Sequence, residues 1–217
     1  MLIEWLIVGE LEVFCYLIGC PDTKEGIVID PGGDEQKILS KIEEMDLHIK
    51  YIVNSHGHPD HTSANKKIKE ATGAPAVLHE LDAKFFFQIE NVRKLSSEIG
   101  CTPTEIEADI LAHDGDILKV GNLELKLIHT PGHSPGGMCV YGDGNLFTGD
   151  TLFVGDAGRT DLPGASLNQL LNSLETKILP LPDDTIIWPG HDYGDTPTST
   201  IANEKNTNPY ITDFILA

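Results

Sequence analysis

Short apolar runs separated by turn-forming residues occupy most of the chain, which predicts many short strands. The first thirty residues contain three such runs, LIEWLIV, EVFCYLIG and GIVID, so we expect three consecutive strands there. YIVNS at residues 51–55 and APAVLH predict two more. The second half predicts strands in DILKV, LELKLIH, GMCVYG and NLFTGD, with DTIIWPG as the last strand.

Apolar residues spaced three or four apart predict helices between these strands. Residues 34–45 show this spacing, and residues 64–71 form a lysine-rich segment that we expect to be a surface helix. Residues 167–178 predict a longer helix, whose start, SLNQ, has the spacing of a capping box. A final helix is expected to begin near Pro197, because proline suits the first turn of a helix.

The segment 81–110 follows no single period and is the hardest to assign. Its FFF run at 85–87 is expected inside a helix, where it would serve as core packing or cover a substrate cleft. Strands that alternate with helices along the chain indicate mixed sheets with helices outside them, an α/β or α+β sandwich. No linker or low-complexity tract divides the sequence, so we expect one domain over residues 1–217.

The charge and cysteine content narrow the classes of partner. The formal net charge is −19, and such a surface repels nucleic acid and anionic lipid. The apolar N-terminus carries Glu4 and Glu10 and lacks leading basic residues, so neither a signal peptide nor a membrane span is expected. Four widely spaced cysteines suit reduced thiols in the cytoplasm better than a disulfide framework. A homo-oligomer is compatible with all of this.

Three histidines and an aspartate lie within the six residues from His56 to His61. Nine histidines spread evenly over the chain would place only about a quarter of one in such a window, so chance clustering is a poor explanation. His56 and His58 project to one side of an extended segment. Asp60 and His61 follow Pro59, where a helix is expected to begin. One short loop therefore offers two pairs of metal ligands.

Three further candidate ligands lie at the ends of predicted strands. They are His133 in TPGHSPG, Asp150 in FTGDTLF and His191 in WPGHDYG. Together with the first loop they supply five imidazoles and two carboxylates, which would fill two adjacent metal sites if Asp150 bridges them. These ligand types suit zinc, iron, manganese or cobalt.

The order H-x-H-x-D-H, PGH, TGD and GH resembles the metallo-β-lactamase superfamily, and most of all its glyoxalase II-like branch. IDPG, GRTD and the closing STI…NEKNTNPY extend the resemblance over nearly the whole chain. It implies a four-layer αββα sandwich with two divalent metal ions at one rim, zinc being expected first and iron or manganese as alternatives. It also implies the ligand sets: His56, His58 and His133 for the first ion, Asp60, His61 and His191 for the second, and Asp150 between them.

The reaction that this resemblance implies is hydrolysis by a metal-activated hydroxide, with Asp60, Asp150 and His191 as the catalytic residues. A small-molecule thiolester is the easiest substrate, because a thiol with a pKa near 8.5 leaves as thiolate without a proton donor. With Ala217 as the last residue, we expect no C-terminal helical extension of the kind with which glyoxalase II enzymes grip glutathione. A smaller or different thiolester is therefore as good a candidate. Asp150 stands where β-lactamases of the superfamily carry cysteine or serine, which disfavours lactams.

Two alternatives to the hydrolase stay open. Persulfide dioxygenases of the same branch share GRTD and GHDY but hold a single iron, which here would be bound by His56, His133 and Asp150. Leu162 and Gly190 differ from the residues usual in those enzymes, without deciding the matter. The remote alternative is a non-catalytic metal-binding module.

Two residues near the expected ligands are candidates for substrate binding. Arg159, one of only two arginines, either clamps a substrate carboxylate or pairs with Asp156 or Asp161. Tyr193, two residues after His191, is placed to hydrogen-bond a substrate. Asp30, in IDPG, is expected to support a ligand or a turn instead of binding metal itself.

Overall fold

The computed structural model describes residues 1–106 and 108–216. These residues form two six-stranded sheets. In the first sheet the strands follow chain order: β1 (Leu2–Val8), β2 (Val13–Gly19), β3 (Glu25–Ile29), β4 (His48–Val53), β5 (Ala76–His79) and β6 (Ile110–Ala112). The first three strands are antiparallel, and β3 to β6 are parallel.

The second sheet contains strands β7 to β10 and two strands from the C-terminal part. Its spatial order is β14-β13-β10-β9-β8-β7, and β10 runs parallel to β13. The bounds are β7 (Ile117–Val120), β8 (Leu123–His129), β9 (Met138–Gly142), β10 (Asn145–Gly149), β13 (Ile186–Pro189) and β14 (Ser199–Thr200). A small hairpin, β11 (Leu152–Phe153) and β12 (Asp156–Ala157), follows β10.

Eight α-helices connect these strands within the described residues. They are α1 (Glu35–Glu44), α2 (Pro59–Thr62), α3 (Asn65–Thr72), α4 (Glu80–Phe86), α5 (Ile89–Ile99), α6 (Leu167–Ser173), α7 (Ile201–Thr207) and α8 (Pro209–Thr212). A π-helical turn, Leu174–Ile178, extends α6. Over residues 1–106 and 108–216, each helix is too short or too polar to cross a lipid bilayer.

The period-2 alternation of the strands builds the layers. In β2, Phe14, Tyr16 and Ile18 pack with residues of the second sheet, and the intervening Val13, Cys15 and Leu17 pack under α1 and α3. Both faces of β2 are therefore buried, which explains its unbroken apolar run. The outer face of the second sheet packs against the π-helical turn that extends α6 and against α7 and α8. The architecture is the predicted four-layer αββα sandwich.

Several local expectations need correction. DTIIWPG is not the last strand, because Ile186 and Ile187 pair with the two residues of β14. The helix expected near Pro197 begins at Ile201, where the Thr200 side chain accepts a hydrogen bond from the N–H of Asn203. The segment 81–110 contains most of α4, α5 and the start of β6.

The side chains of the FFF run and the cysteines have different surroundings. Phe86 is 1% exposed and Phe87 is 57% exposed, so only part of the run is core. All four cysteines are free thiols; Cys15, Cys20 and Cys139 are buried, and Cys101 is partly exposed.

Candidate metal centre

Strand ends from both sheets bring the seven predicted ligands to one rim of the sandwich. The loop after β4 carries His56 and His58, and α2 follows it with Asp60 and His61. His133, Asp150 and His191 follow β8, β10 and β13, three strands of the second sheet whose carboxyl ends lie at the same edge. All seven side chains are buried, with exposed fractions between 0% and 9%.

The first cluster consists of the imidazoles of His56, His58 and His133. Its ligand atoms lie within 4.8 Å of one another, and His58 Nδ1 is 3.1 Å from His133 Nε2. Four ligands arranged tetrahedrally around zinc at 2.0–2.1 Å are about 3.3 Å apart. The 3.1 Å between these two nitrogens therefore matches one edge of a coordination tetrahedron as well as it matches a hydrogen bond.

The second cluster consists of Asp60, His61 and His191. His61 Nε2 is 3.3 Å from His191 Nε2, and Asp60 Oδ2 is 3.5 Å and 3.7 Å from those two nitrogens. These ligand atoms also lie within 4.8 Å of one another. A second cation of similar size fits among them.

Asp150 lies between the two clusters. Its Oδ2 is 3.5 Å from His133 Nε2 of the first cluster and 3.5 Å from His191 Nε2 of the second. Its Oδ1 is 3.5 Å from His61 Nε2. A carboxylate in this position can contact two cations at once.

Hydrogen bonds to the outer ring nitrogens fix the direction in which three imidazoles offer their lone pairs. His133 Nδ1 donates to the carbonyl oxygen of Arg159 at 2.9 Å, and His61 Nδ1 donates to Asp30 Oδ2 at 3.1 Å. His56 Nδ1 lies 2.9 Å from Ser55 Oγ, whose hydroxyl donates to Asp30 and so accepts from the imidazole. Each Nε2 is thereby left as an acceptor that points into the centre, as in histidine ligands of metals.

Several buried polar atoms at the centre have no hydrogen-bond partner among residues 1–106 and 108–216. They are His56 Nε2, His58 Nε2, Asp60 Oδ1, Asp150 Oδ1 and His191 Nδ1. Buried polar atoms are almost always paired, so a group of unpaired ones calls for an explanation. A cation in each cluster would account for His56 Nε2 and Asp150 Oδ1, whereas His58 Nε2 and His191 Nδ1 are the ring nitrogens opposite those that face the clusters. The arrangement is compatible with divalent metal ions.

The pKa values of the cluster follow from burial and from the mixture of acids and bases. Burial, reinforced by the neighbouring imidazoles, lowers the pKa of His56 and of His58 well below the usual value, so both are neutral and able to bind metal. Burial also acts to lower the pKa of His61, but Asp150, Asp60 and Asp30 outweigh it and raise the pKa to about 10 in the absence of a cation. A metal ion that binds His61 must therefore displace the proton from Nε2, which then becomes the acceptor. For Asp150, burial favours the neutral acid, yet the surrounding imidazoles keep its pKa below the usual value.

Arg159 and Tyr193 line a cleft of about 220 Å³ that opens onto the centre. Arg159 forms a bidentate ion pair with Asp161 at 2.9 Å and 3.0 Å, which is one of the two arrangements considered from the sequence. The pair is exposed, however, and the backbone oxygen of Arg159 is what orients His133. Tyr193 stacks on the ring of His191, with centroids 5.0 Å apart and planes inclined by 3°.

Two buried aspartates support the candidate ligands without joining them. Asp30 accepts hydrogen bonds from the N–H and hydroxyl of Ser55 as well as from His61, so it supports a ligand as expected. Asp82, which no motif singles out, is fully buried in α4 and contacts both loops of the first cluster. The sequence gives no signal for it, because an aspartate in a first helical turn is common on protein surfaces.

Comparisons with family models, with protein sequences and with solved structures all indicate the same family. Residues 8–191 match the family model of the metallo-beta-lactamase superfamily. The hydroxyacylglutathione hydrolase GloC of Haemophilus influenzae is 36% identical over 97% of this chain and 98% of its own length. Among solved structures, the BLEG-1 B3 metallo-beta-lactamase superposes with a TM-score of 0.88 and 32% identity, over 97% of this chain and all of that one. TTHA1623 in a di-iron-bound form superposes with a TM-score of 0.81 and 31% identity, over 95% of this chain and 99% of that one.

Proposed function

The chain belongs to the metallo-beta-lactamase superfamily, and from this membership we propose that it is a glyoxalase II-like hydrolase that cleaves small thiolesters at a centre of two divalent metal ions. The observation that carries the proposal is the position of Asp150, whose Oδ2 is equidistant from an imidazole of each cluster. The proposed ligands are His56, His58 and His133 for one ion and Asp60, His61 and His191 for the other. The chemistry of these donors suits zinc, iron or manganese, and the di-iron form of TTHA1623 is one precedent.

Bound divalent ions would supply two things, a water whose pKa is lowered to near 7 and polarisation of the substrate carbonyl. Asp150 and Asp60 place negative charge between and beside the ions, and Asp30 and the Arg159 carbonyl hold the imidazoles in the required orientation. The unpartnered Oδ1 of Asp60 is the acceptor that we assign to orienting the attacking water.

The cleft beside the centre determines what the substrate contacts. Phe153, Leu162 and Tyr193 give it apolar walls. The stack of Tyr193 on His191 places one aromatic face directly at the second cluster. Because Arg159 is already engaged by Asp161, a substrate carboxylate would bind there in exchange for Asp161.

A thiolester is favoured over a lactam by its leaving group. A thiol has a pKa near 8.5 and leaves as thiolate, whereas an amide nitrogen must be protonated as it leaves. The hydroxyacylglutathione hydrolase from Haemophilus influenzae supports the thiolester, and the similarity to a B3 metallo-beta-lactamase makes lactams the competing substrate class. A chromogenic cephalosporin therefore belongs in the substrate panel.

A single-iron persulfide dioxygenase is the second candidate. Two imidazoles and a carboxylate form the facial set of non-haem iron oxygenases. His56, His133 and Asp150 provide such a set, since the two rings are 4.9 Å apart and Asp150 Oδ2 is 3.5 Å from His133 Nε2. Dioxygenases of this branch can keep the residues of the second cluster without filling it, so the number and identity of the bound ions separate the two candidates.

The decisive experiment combines metal content with paired assays. Protein purified without added metal should contain two divalent ions per chain and should cleave acyl-thiols. Oxygen uptake is measured in parallel with glutathione persulfide. One iron per chain, with oxygen consumption and no acyl-thiol cleavage, would replace the hydrolase by the dioxygenase. Two ions with cleavage of the cephalosporin alone would replace the thiolester by a lactam.

A further inference from the structure

Helix α4 lies against both loops that carry the first cluster. It begins at Glu80, directly after β5, so its first turn points toward the rim where the candidate ligands gather. Asp82 in that turn is 0% exposed, and burial raises the pKa of its carboxyl group. A fully buried carboxyl group needs several hydrogen-bond donors to offset its loss of solvation.

The donors to Asp82 come from both ligand loops. Its Oδ2 accepts hydrogen bonds from the N–H of Gly57 at 2.8 Å and from the hydroxyl of Ser134 at 2.7 Å. Its Oδ1 accepts from the N–H of Gly136. Gly57 lies between His56 and His58, and Ser134 directly follows His133. One carboxyl group thus ties the backbones on either side of the first cluster.

Phe86, one turn farther along α4, contacts the ring of one ligand. It meets the imidazole of His58 edge to face, with centroids 5.5 Å apart and planes at 90°. A Cβ on Gly57 would overlap the Phe86 ring, and a Cβ on Gly136 would come within 2.5 Å of the Asp82 nitrogen. The two loops are therefore pressed against α4 at glycines, where no side chain holds them off.

We propose that Asp82 is a positioning residue, which, together with Phe86, holds His58 and His133 at the separation that a single cation requires. The inference rests on the proposed metal centre. His58 Nδ1 and His133 Nε2 are 3.1 Å apart although they belong to loops from different sheets, and Asp82 is bonded to both loops. Groups that orient metal ligands in this way typically contribute 10- to 100-fold to metal affinity.

The substitution Asp82→Asn tests the inference at nearly constant volume. A carboxylate accepts at both oxygens, whereas an amide accepts at one and directs an NH₂ group at a protein donor. The metal-free variant is titrated with Co²⁺, followed by calorimetry and by visible absorption. We expect the ion of the first cluster to bind about 10- to 100-fold more weakly and the ion of the second cluster to keep its wild-type affinity.

Asp109→Asn is the matched control. Asp109 also accepts a backbone N–H, that of Ala76 at 2.8 Å, but at the amino end of β5, away from the ligand loops. This variant should bind Co²⁺ as wild type does, even if it unfolds at a lower temperature. Wild-type affinity for both ions in Asp82→Asn, whatever its thermal stability, would overturn the inference.

A second variant covers the case in which Asp82→Asn does not fold. Ser134→Ala removes one of the three donors to Asp82 and leaves every candidate ligand in place. The affinity of the first cluster for Co²⁺ should therefore fall a few-fold. Unchanged affinity would contradict the proposal. Cobalt binding uses no substrate, so the result is independent of the reaction class. A wild-type protein that binds two ions and cleaves no acyl-thiol would refute the hydrolase and leave the role of Asp82 standing.

Discussion

At the scale of single residues, four aspartates near the centre differ by the atoms they face. Asp150 faces imidazoles of both clusters, Asp60 faces those of the second cluster, and Asp30 faces the outer nitrogen of His61 and the hydroxyl of Ser55. Asp82 faces only backbone and hydroxyl donors. The same type of side chain therefore has a different role at each position, and single substitutions can test each role.

Asp150→Ala should abolish hydrolysis and most metal binding. The substitution removes the carboxylate that lies 3.5 Å from both clusters and leaves the imidazoles without the negative charge that holds two cations close together. Elemental analysis of the purified variant, after dialysis, measures the loss. Asp161→Asn serves as the control, since Asp161 is exposed and bonded to Arg159. Two tightly bound ions in Asp150→Ala would refute the bridging role.

The substitution Arg159→Gln should distinguish the role of the Arg159 side chain from that of its backbone oxygen. The backbone oxygen orients His133, so metal content should remain at the wild-type level. If the guanidinium exchanges Asp161 for a substrate carboxylate, KM for an acyl-thiol with an acidic acyl group should rise about tenfold, in line with a lost charge-assisted pair. KM for an uncharged acyl group should not change. Equal effects on both substrates would assign the arginine a structural role only.

At the scale of elements, the sequence predicted those strands, helices and loops that a local pattern of residues determines. Period-2 alternation and glycine-rich turns defined most strands, and the histidine cluster identified its loop without any structure. β6 and β14 have three and two residues, too few to show a period. Asp82 could not be found because its partners lie 25, 52 and 54 residues away and two of its three donors are backbone N–H groups, which nearly every residue type has.

An imidazole stack joins the ends of β5 and β8 and gives an element-scale prediction. His79 stacks on His129, with centroids 3.9 Å apart, and its Nδ1 accepts the N–H of Leu81 at the start of α4. Burial and the neighbouring imidazole lower the pKa of His79 to about 4. In the unfolded chain the group takes up a proton near pH 6.5, so protonation favours unfolding as pH falls from about 6.5 to about 4.

The free energy of unfolding should accordingly depend less on pH when His79 is replaced. We expect wild type to lose on the order of 2 kcal/mol more than His79→Gln between pH 7.5 and pH 4.5, since each pKa unit corresponds to about 1.4 kcal/mol and the group is not fully desolvated. Urea titrations of both metal-free proteins measure the difference. Because the candidate ligands are the same in the two proteins, their titration cancels. Parallel pH dependences would show that His79 contributes nothing.

At the scale of the whole molecule, each cluster combines ligands from both sheets. The first sheet supplies His56 and His58 to one cluster, and the second sheet supplies His133. The other cluster combines Asp60 and His61 with His191 in the same manner. Cations bound at both clusters would therefore connect the two halves of the sandwich, and metal binding would contribute to folding.

Removal of metal should lower the thermal stability of the whole sandwich. A chelator is expected to reduce the midpoint of unfolding by about 10 °C or more, because ions that bind the folded state alone stabilise it by mass action. Calorimetry with and without chelator, followed by addition of Zn²⁺, measures the effect and its reversal. His191→Ala, which removes one link between the sheets, should show a smaller shift than wild type. An unchanged midpoint would mean that the sheets are held by their apolar core alone.

The net charge of −19 sets the field through which a substrate approaches. Glu98 lines the cleft at the centre, and Arg159 there is already paired with Asp161, so the approach to the cations is negative. This field repels an anionic acyl-thiol as it approaches. Salt weakens the repulsion, because charges more than about 8 Å apart are screened at physiological ionic strength.

Between roughly 10 mM and 300 mM NaCl, kcat/KM for the acetyl thiolester of mercaptoacetate should therefore rise a few-fold. The acetyl thiolester of N-acetylcysteamine is the uncharged control, and its kcat/KM should stay constant, which also reveals any direct effect of chloride on the metal ions. A fall in kcat/KM for the anionic substrate would mean that the cations, and not the surface carboxylates, dominate the long-range field. The sign of the salt effect thus decides whether selection of the substrate begins at the surface or only at contact with the centre.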